Sequence, residues 1–506
     1  MIGSRAFVRH PHEIALINLD LQAWIADLED GLRCGTYVPE ALFTCNVPKP
    51  FGGIRPGAFL NCRDLTVYAA CVGVCLGRIR NELSWAKNID YSVPIVESDN
   101  ETAWLRNPFK GWRDFRTQSL VLLEKATHVV VADVAGFYEY IDIEILISEL
   151  RRLAVEPGPL RLLSQCLNKW AKVQKGIPQG YSPSDVLAKL YLGVVDRGLK
   201  EKGLTHIRYM DDFRIFCDSE AEARRALVEL TTMLRVRGLV LQTAKSRIQT
   251  RAEASISFDG VQATVQEVRQ DLVREAAEAS GGDPYFSLWE VEMALASGTD
   301  RAPLEVVHRA YDDHFVAGSE DFNKTLLHFL LRRMAKAGSD HAIPHVLSYL
   351  VSMPQETGDI LRYLGDIGKT KECEERLLSL LTNDLAIYPY QHYQFIQWWL
   401  SEGVCPNEKF IRWVRGEFFE RSIPPYLASV CAEFLGRFGS PADIERIEAR
   451  LEDPISDLKR AELICAVRRL ESGRRNSILG RFAGQGFLTS RAVELVRQEK
   501  DPASVK

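Results

Sequence analysis

The chain contains 506 residues, of which 63 are lysine or arginine and 68 are aspartate or glutamate, so its formal net charge is −5. Charged residues make up 26% of the sequence and hydrophobic residues 46%. This composition is typical of globular proteins, and at roughly 150 residues per domain the length predicts about three domains. It excludes collagen-like, disulfide-scaffold and coiled-coil proteins and argues against a strongly cationic nucleic-acid coat.

The cysteines and the N-terminus indicate where the protein works. The 11 cysteines include no CxxC pair and several lie in apolar runs, so we expect buried free thiols in a reducing compartment rather than disulfides or a zinc site. Charged residues interrupt the N-terminal stretch, which therefore lacks the apolar core of a signal peptide. The longest charge-free apolar stretch, residues 65–77, is too short to cross a bilayer. These features predict a cytoplasmic protein with no membrane partner.

The two halves of the chain differ in charge and in periodicity. Residues 1–260 carry 33 basic and 31 acidic side chains, whereas residues 261–506 carry 30 and 37. The first half combines helical stretches with short β-branched runs, which are typical of strands. These runs are residues 128–134, 207–210, 213–217 and 239–243. A segment that contains Gly and Pro, residues 277–286, marks a boundary between the halves.

The first β-branched run, HVVVADV, contains an acidic residue, Asp133, at the end of its apolar part. A carboxylate in this position either caps a following helix or binds a metal ion. The sequence around Asp133 fits both roles.

A glycine-rich turn follows at Gly176-Ile-Pro-Gln-Gly180. Glycines at this spacing let a base or a sugar approach the backbone closely. The segment also fits an ordinary turn before a helix, in which Ser182 or Ser184 would cap the apolar run that comes next.

The sharpest local feature is Tyr209-Met210-Asp211-Asp212, which joins two of the β-branched runs. Two strands joined there would form a tight hairpin with the adjacent acids at its tip. Adjacent carboxylates repel each other, whereas a purely structural turn more often uses Asn-Gly or Asp-Gly. A hard cation such as Mg²⁺ would remove the repulsion. A solvated turn is the other interpretation of so short a pattern.

The second half of the sequence is almost entirely helical in its apolar periodicity. Gly, Pro or Asn/Asp breaks separate successive amphipathic stretches, and consecutive pairs recur at about the spacing of HEAT repeats without a clear consensus. The pattern predicts an irregular stack of helical pairs. One stretch is rich in tyrosine, with Tyr388, Tyr390 and Tyr393 close together.

The order of these segments resembles that of reverse transcriptases, which are RNA-directed DNA polymerases with a right-hand fold. Residues 47–71, VPKPFGGIRPGAFLNCRDLTVYAAC, are similar to the fingers signature of group II intron and retron enzymes. Residues 112–142 resemble the stretch that leads into the first catalytic aspartate. GIPQG resembles the palm loop, YMDD the second catalytic acid pair, and LVLQTAKS (239–246) a later strand-turn segment. The resemblance covers about residues 40–250.

This resemblance implies catalytic and metal-binding roles for three aspartates. Asp133, Asp211 and Asp212 would bind two Mg²⁺ ions, with Mn²⁺ as an alternative, for nucleotidyl transfer. Lys245 would protonate or neutralise the pyrophosphate. Gln242 departs from the family pattern in the segment that carries this lysine.

The resemblance also implies residues that bind the nucleotide. Lys49 and Arg55 would hold the incoming triphosphate, since both carry the charge that this role needs. Tyr138 would act as a steric gate against a ribose 2′ hydroxyl, although a tyrosine is more often a core aromatic. Gln179 and Gly180 would contact the template–nucleotide pair.

The implied fold is α+β, with the fingers and palm of a right-hand polymerase followed by an all-α, HEAT-like helical-repeat domain. We expect the polymerase domain in residues 1–265, a linker in 266–282 and the helical domain in 283–506. This architecture is most similar to bacterial abortive-infection and related defence reverse transcriptases. Such an enzyme would use dNTPs, copy an RNA template or work with a non-coding RNA, make a DNA product and form a homo-oligomer.

Two other functions stay open. Some defence enzymes work without a template or prime DNA from a protein hydroxyl, which here would be Tyr388, Tyr390 or Tyr393; packing aromatics are the simpler interpretation. The second alternative is a catalytically idle RNA-binding scaffold. The intact acid triad argues against it. Several basic residues would follow a nucleic-acid backbone, unless they form a solvated helix face. They are Arg151, Arg152, Lys169, Lys172 and Lys175.

Overall fold

The computed structural model describes Val8, Ile95 and residues 10–49, 52–92, 108–171, 173–259, 304–317 and 324–498. The chain divides into two compact units. Within the described residues, the sheet unit comprises 38–44 and 57–259, and the helical unit comprises the remainder, with Val8, 10–37 and 45–56 in addition to the part from residue 304 onward. The predicted linker, 266–282, lies outside the described residues.

The described residues contain six strands and 23 α-helices. The strands are β1 (Phe43–Pro48), β2 (Ile54–Phe59), β3 (His128–Ala132), β4 (Thr205–Tyr209), β5 (Asp212–Cys217) and β6 (Arg247–Thr250). The first ten helices are α1 (Glu13–Leu19), α2 (Leu21–Arg33), α3 (Cys62–Glu82), α4 (Pro108–Leu123), α5 (Phe137–Tyr140), α6 (Ile143–Arg152), α7 (Pro157–Trp170), α8 (Ser182–Glu201), α9 (Glu220–Val236) and α10 (Arg251–Asp259). The others are α11 (Leu304–Tyr311), α12 (Lys324–Lys336), α13 (Ile343–Val346), α14 (Tyr349–Ser352), α15 (Thr357–Asp366), α16 (Thr370–Thr382), α17 (Pro389–Glu402), α18 (Glu408–Glu420), α19 (Pro425–Phe438), α20 (Pro441–Ala449), α21 (Asp457–Ala466), α22 (Ser472–Phe482) and α23 (Phe487–Gln498).

An antiparallel sheet in the order β4-β5-β3-β6 lies at the centre of the sheet unit. Its strands are rich in β-branched and aromatic residues, which pack well on a pleated surface. The strands predicted from the runs at 128–134, 207–210 and 213–217 are confirmed. The β1–β2 hairpin forms a separate two-stranded sheet.

The run at 239–243 does not form the strand that its composition predicts. Only Leu241 makes a bridge, to Val134, and a 3-10 turn over Thr243–Lys245 follows. The segment pairs with the loop after β3 instead of with a strand, and that loop turns at once into α5. A partner so short cannot support a regular ladder.

Helices cover both faces of the central sheet. A buried cluster joins α4 and α10 to one face, and its members are Phe115, Leu123, Ala126, Val129, Ile207, Phe216, Ala254 and Phe258. Because side chains alternate along a strand, Val130 faces the opposite side from Val129, and α9 packs against β3 and β5 with a buried stripe that includes Leu230 and Leu234. The ends of the strands remain free to carry polar groups.

The helical unit is a two-layer stack. Helices α15, α17, α19, α21 and α23 pack side by side in one row, and α16, α18, α20 and α22 pack against that row. Prolines at the first turns of α17, α19 and α20 and a capping box between Ser440 and Asp443 fix where these helices begin. The predicted α+β fold with a HEAT-like helical region is therefore confirmed.

An N-terminal arm, residues 10–37 with helices α1 and α2, belongs to this helical unit rather than to the sheet unit. Helix α1 packs against α23, the last helix of the row. The imidazole of His10 lies 2.6 Å from Glu462, and that of His12 lies 2.7 Å from Glu433. The arm thus covers the end of the stack, as terminal caps do in repeat proteins.

All eleven cysteines lie in described residues and are free thiols, and only Cys34 and Cys405 are exposed. The burial of the other nine agrees with the buried thiols expected from their apolar surroundings. Among the described helices, none has the length and apolar character required to cross a membrane.

Candidate active site

The YMDD sequence forms the predicted hairpin between β4 and β5. Tyr209 pairs with Asp212, so only Met210 and Asp211 form the loop between the strands. Met210 has φ +55, a left-handed conformation that is uncommon for a residue with a side chain. Asp211 therefore lies in the loop itself, while Asp212 is the first residue of β5.

Asp133 follows β3, the strand that lies beside β5. Ala132 is opposite Phe213 in the register of these antiparallel strands, so the next position along places Asp133 opposite Asp212. A hydrogen bond joins the two side chains. Asp133 caps no described helix, since the short α5 begins after Gly136 without a side-chain cap. The structure thus brings together the first and second acidic motifs, which are almost 80 residues apart.

The electrostatics of this acidic cluster are unfavourable for full ionisation. Burial and, to a smaller extent, the carboxylates of Asp211 and Asp133 together raise the pKa of Asp212 to about 7, whereas Lys245 opposes the rise. In the protonated form Asp212 donates its hydrogen bond to Asp133. Bound divalent cations would remove the repulsion, and oxygen ligands of this kind suit Mg²⁺. The side chains therefore fit the predicted metal site.

Lys245 lies at the same cluster. Its ammonium nitrogen is 3.2 Å from Asp133 Oδ2, and its side chain is 67% exposed. Backbone hydrogen bonds explain this placement, because the Ala135 N–H donates to the Val240 carbonyl at 2.8 Å and the Gln242 N–H donates to the Asp133 carbonyl at 2.7 Å. The irregular segment 239–246 thus carries its lysine to the end of β3.

Tyr138 lies in α5, five residues after Asp133. Its hydroxyl donates a hydrogen bond of 2.6 Å to Asp185 Oδ1, in the first turn of α8. Asp185 is buried, whereas the side chain of Tyr138 is half-buried. The tyrosine ring is therefore neither a fully enclosed core aromatic nor free to rotate, which is what a steric gate requires.

The glycine-rich loop packs beside Tyr138. The Ile177 N–H donates to the Tyr138 carbonyl at 2.9 Å, and a Cβ on Gly176 would lie 3.1 Å from the Glu139 carbonyl oxygen. Gly180 has φ +107, a conformation that favours glycine. Gln179 is half-buried, and its carbonyl accepts a hydrogen bond of 3.1 Å from the Ala58 N–H.

The predicted serine caps of α8 are wrong. Tyr181 occupies the cap position and no side chain caps the helix. Ser182 already lies within the helix, and Ser184 instead donates to the Pro178 carbonyl at 2.5 Å and contacts the Tyr68 hydroxyl at 2.8 Å. Pro183 occupies the first turn of the helix, and the Ser184 hydroxyl stabilises the preceding loop from inside the helix.

Lys49 and Arg55 lie on the β1–β2 hairpin, in residues 45–56, which pack with the helical unit. Lys49 is half-buried and its N–H donates to the Gly53 carbonyl at 2.7 Å, whereas Arg55 is exposed. Their role at a triphosphate stays a prediction.

Two residues near the acidic cluster were not predicted from the sequence. Asp185, the partner of Tyr138, lies within the segment that follows the glycine-rich loop, and its only signal is an acid in the first turn of an apolar helix. Arg208 is a charged residue inside the apolar run before YMDD, and it is 1% exposed. A charge in a strand that is otherwise apolar is the signal that identifies such a residue.

A second group of possible metal ligands lies in the helical unit. Among the described residues, His328, Glu356 and Asp359 are the group whose ligand atoms all lie within 4.8 Å of one another. The imidazole of His328 is 2.5 Å from Glu356 and 3.2 Å from Asp359, and Lys324 lies 3.4 Å from the other Glu356 oxygen. These ion pairs account for the grouping without a metal ion.

The basic residues predicted to follow a nucleic-acid backbone are only partly available. Arg152 pairs with Glu82 at 2.7 Å and with Glu149 at 3.2 Å. Arg151 and Lys169 are exposed, Lys175 is half-buried and Lys172 lies outside the described residues. Their role in binding stays a prediction.

Residues 47–269 match the sequence model of the reverse transcriptase (RNA-dependent DNA polymerase) family. This stretch of the chain therefore carries a reverse transcriptase domain, the domain of RNA-directed DNA polymerases. The match contains the three aspartates, Lys245 and the predicted nucleotide-binding residues Lys49, Arg55, Tyr138, Gln179 and Gly180.

Among solved structures, the chain is similar to telomerase from Candida albicans in complex with the TWJ fragment of telomeric RNA, with 12% sequence identity and a TM-score of 0.29. That likeness covers 64% of this chain and 63% of the telomerase chain. No curated protein matches the sequence.

Proposed function

We propose that the protein is a metal-dependent reverse transcriptase that adds dNTPs to a 3′ hydroxyl and acts in bacterial anti-phage defence with a non-coding RNA. One observation carries the polymerase part of this proposal. Asp133 lies opposite Asp212 across β3 and β5, with Asp211 beside them in the hairpin loop. The raised pKa of Asp212 supports a site built for cations.

Asp133, Asp211 and Asp212 would hold two Mg²⁺ ions, or Mn²⁺ in their place. When bound, the ions would activate the attacking 3′ hydroxyl and neutralise charge on the leaving pyrophosphate. Lys245, whose ammonium lies 3.2 Å from Asp133, would neutralise or protonate that pyrophosphate. Its large exposed fraction leaves the ammonium free to move toward a substrate.

Other residues of the chain would position the nucleotide and the template. Lys49 and Arg55 would bind the triphosphate oxygens, since Lys acts as a point charge and Arg as a bidentate donor. Gln179 and Gly180 would lie against the template–nucleotide pair, and Tyr138 would exclude a 2′ hydroxyl. The hydrogen bond from Tyr138 to Asp185 supports this role, because it holds the ring in one direction.

The Tyr138→Ala variant is expected to accept rNTPs. Removing the ring removes the steric clash with a 2′ hydroxyl, and we expect the ratio of kcat/KM for dNTP over rNTP to fall by about tenfold or more. Single-nucleotide incorporation with both substrates measures this ratio. Tyr138→Phe is the matched control, since it keeps the ring and loses only the bond to Asp185. Unchanged discrimination in Tyr138→Ala would remove Tyr138 as the gate.

The helical stack supports the defence part of the proposal, because a polymerase domain followed by helical repeats resembles the architecture of defence reverse transcriptases. Such stacks offer extended surfaces to partners. On this proposal the protein works in the cytoplasm as a homo-oligomer, with dNTPs and RNA as partners and DNA as its product.

The tyrosine-rich stretch offers little support to protein priming. Tyr393 is buried and stacks on Tyr390 with ring centroids 6.5 Å apart. Burial raises the pKa of the Tyr390 hydroxyl well above its usual value, and Cys45 and Tyr393 contribute to the rise. A nucleophile needs a hydroxyl that can ionise, so these two residues fit helix packing better than priming.

One experiment distinguishes templated synthesis from its alternatives. The full chain is purified with its bound nucleic acid and given Mg²⁺ and each labelled dNTP in turn. The proposal predicts incorporation that RNase treatment of the sample abolishes. Label that survives RNase and disappears with protease would instead indicate a protein-primed, template-independent polymerase. Absence of incorporation, with RNA still bound, would indicate an idle RNA-binding scaffold.

A further inference from the structure

Arg208 is a deeply buried charged residue beside the acidic hairpin, with 1% of its surface exposed. It lies on β4, and its guanidinium is enclosed by two carboxylates. Its Nε donates to both oxygens of Asp196, at 3.0 and 2.9 Å, and its Nη2 lies 3.1 Å from Asp90 Oδ2. The segment that contains residues 89 and 90 lies beside β4, because the Arg208 N–H donates to the Ile89 carbonyl at 2.8 Å.

Two further side chains complete a buried ionic network around Arg208. Lys189 Nζ lies 2.6 Å from Asp90 Oδ2, and His206 Nε2 lies 3.3 Å from Asp196 Oδ1. Lys189 and Asp196 both come from α8, so the network joins this helix to β4 and to residue 90. The positive charges of Arg208 and Lys189 balance the negative charges of Asp90 and Asp196, so no charge in the network is buried without a partner.

Charge balance alone does not explain why the network lies here. A buried ion pair generally stabilises a protein no more than well-packed apolar residues of similar volume do. The directions of the Arg208 hydrogen-bond donors therefore say more about the role of the network than its charge does. One donor of Arg208 points away from the carboxylates and toward the hairpin loop.

That donor is Nη1, which gives a hydrogen bond of 3.0 Å to the Met210 carbonyl. This carbonyl belongs to the peptide bond immediately before Asp211. Met210 itself has φ +55, so the loop adopts a conformation that its side chain disfavours. An interaction that fixes this peptide also fixes the direction in which the next residue leaves the backbone.

We propose that Arg208 is a positioning residue for Asp211: held by Asp196 and Asp90, it fixes the Met210–Asp211 peptide and so aims the Asp211 carboxylate at the metal site. The inference rests on the proposed function, since it assigns a metal-binding role to Asp211. An arginine suits this task because its planar fork presents several donors in fixed directions. A lysine in its place would keep the charge and lose the simultaneous contacts.

The test compares Mn²⁺ binding to the full chain and its variants. Electron paramagnetic resonance measures free Mn²⁺ in a titration, and binding that is absent from Asp212→Asn identifies the ions of this site. In Arg208→Lys we expect the dissociation constant of these ions to rise roughly 10- to 100-fold, the effect typical of residues that orient ligands. The Mg²⁺ concentration for half-maximal dNTP incorporation should rise in parallel.

His206→Gln is the matched control. It alters a contact to the same carboxylate, Asp196, without touching the hairpin loop, so its Mn²⁺ affinity should equal that of the wild type. If Arg208→Lys is folded, as judged by thermal unfolding, and binds Mn²⁺ as tightly as the wild type, the proposal is wrong.

A second variant covers the case in which Arg208→Lys does not fold. Arg208→Met combined with Asp196→Asn removes a cation and an anion together, which avoids an unpaired buried charge. The same weakening of Mn²⁺ binding is expected, and wild-type affinity would overturn the proposal. A wild type that binds Mn²⁺ at this site but incorporates no dNTP would refute the proposed function, while the comparison of Mn²⁺ affinities would still decide the role of Arg208.

Discussion

Asp211→Asn and Asp212→Asn should each reduce dNTP incorporation by at least about three orders of magnitude, because each change removes a negative charge and an oxygen ligand from the proposed metal site. The amide is nearly the same size as the carboxylate, so the packing of β5 is retained. Steady-state incorporation at saturating Mg²⁺ and dNTP measures the loss. This is the largest effect that we expect from any single substitution.

Asp218→Asn provides the control for charge removal from the same hairpin. Asp218 follows the end of β5 and is exposed. Because it lies at the opposite end of the strand from Asp212, its replacement should leave incorporation close to the wild-type rate. Equal incorporation by the wild type, Asp211→Asn and Asp212→Asn would refute the polymerase mechanism and leave only a binding role for the acidic cluster.

The same Asp212→Asn substitution should stabilise the metal-free protein at pH 8. Burial, Asp211 and Asp133 raise the pKa of Asp212 to about 7 in the folded state, against an ordinary value of 3.8. Ionised Asp212 therefore destabilises the fold, and this cost grows as the pH rises from about 4 to about 7 and is then constant. A neutral amide avoids it, and we expect a gain of about 1–3 kcal/mol at pH 8.

Thermal unfolding in EDTA at pH 5 and at pH 8 measures this gain. It should be clearly smaller at pH 5, where the folded wild type keeps its proton on Asp212. Added Mg²⁺ should raise the unfolding temperature of the wild type and leave that of Asp212→Asn nearly unchanged, since binding to the folded state alone shifts stability. A gain that is the same at both pH values would show that repulsion at Asp212 is not its source.

Much of the acidic cluster could be predicted from the sequence because its parts are local. The strand before Asp133 and the hairpin at Asp211 and Asp212 are each encoded within a few residues of the acids, and both patterns are confirmed. Antiparallel pairing of β3 with β5 then follows from ordinary strand geometry. Local patterns of this kind fail where another contact is stronger, as at Ser184, which lies inside α8 and donates to the Pro178 carbonyl instead of capping the helix.

The residues and segments that hold the acidic cluster in place could not be predicted in the same way. Arg208 receives its partners from α8 and from residue 90, which are distant in sequence and give no periodic signal. The run at 239–243 has strand-like composition, yet its neighbour is a loop, and composition says nothing about which partner is present. Tertiary contacts decide both cases.

The grouping of the N-terminal arm with the helical unit was also outside the reach of sequence patterns. We expected residues 1–265 to form one domain with the polymerase core. His10 and Glu462, which lie 2.6 Å apart, are separated by 452 residues. A histidine followed by a short amphipathic helix gives no indication of a carboxylate so far along the chain.

The location of this arm has a consequence for synthesis of the protein. The arm is synthesised before the sheet unit, whereas Glu433 and Glu462, which bind its two histidines, are synthesised after it. The intervening sheet unit can therefore fold before the helices that bind the arm have been synthesised, since domains fold largely as units during translation. In chain order the sheet unit is an insertion into the helical unit. A nascent chain that stops before Glu433 would therefore contain a folded sheet unit and an incomplete helical stack.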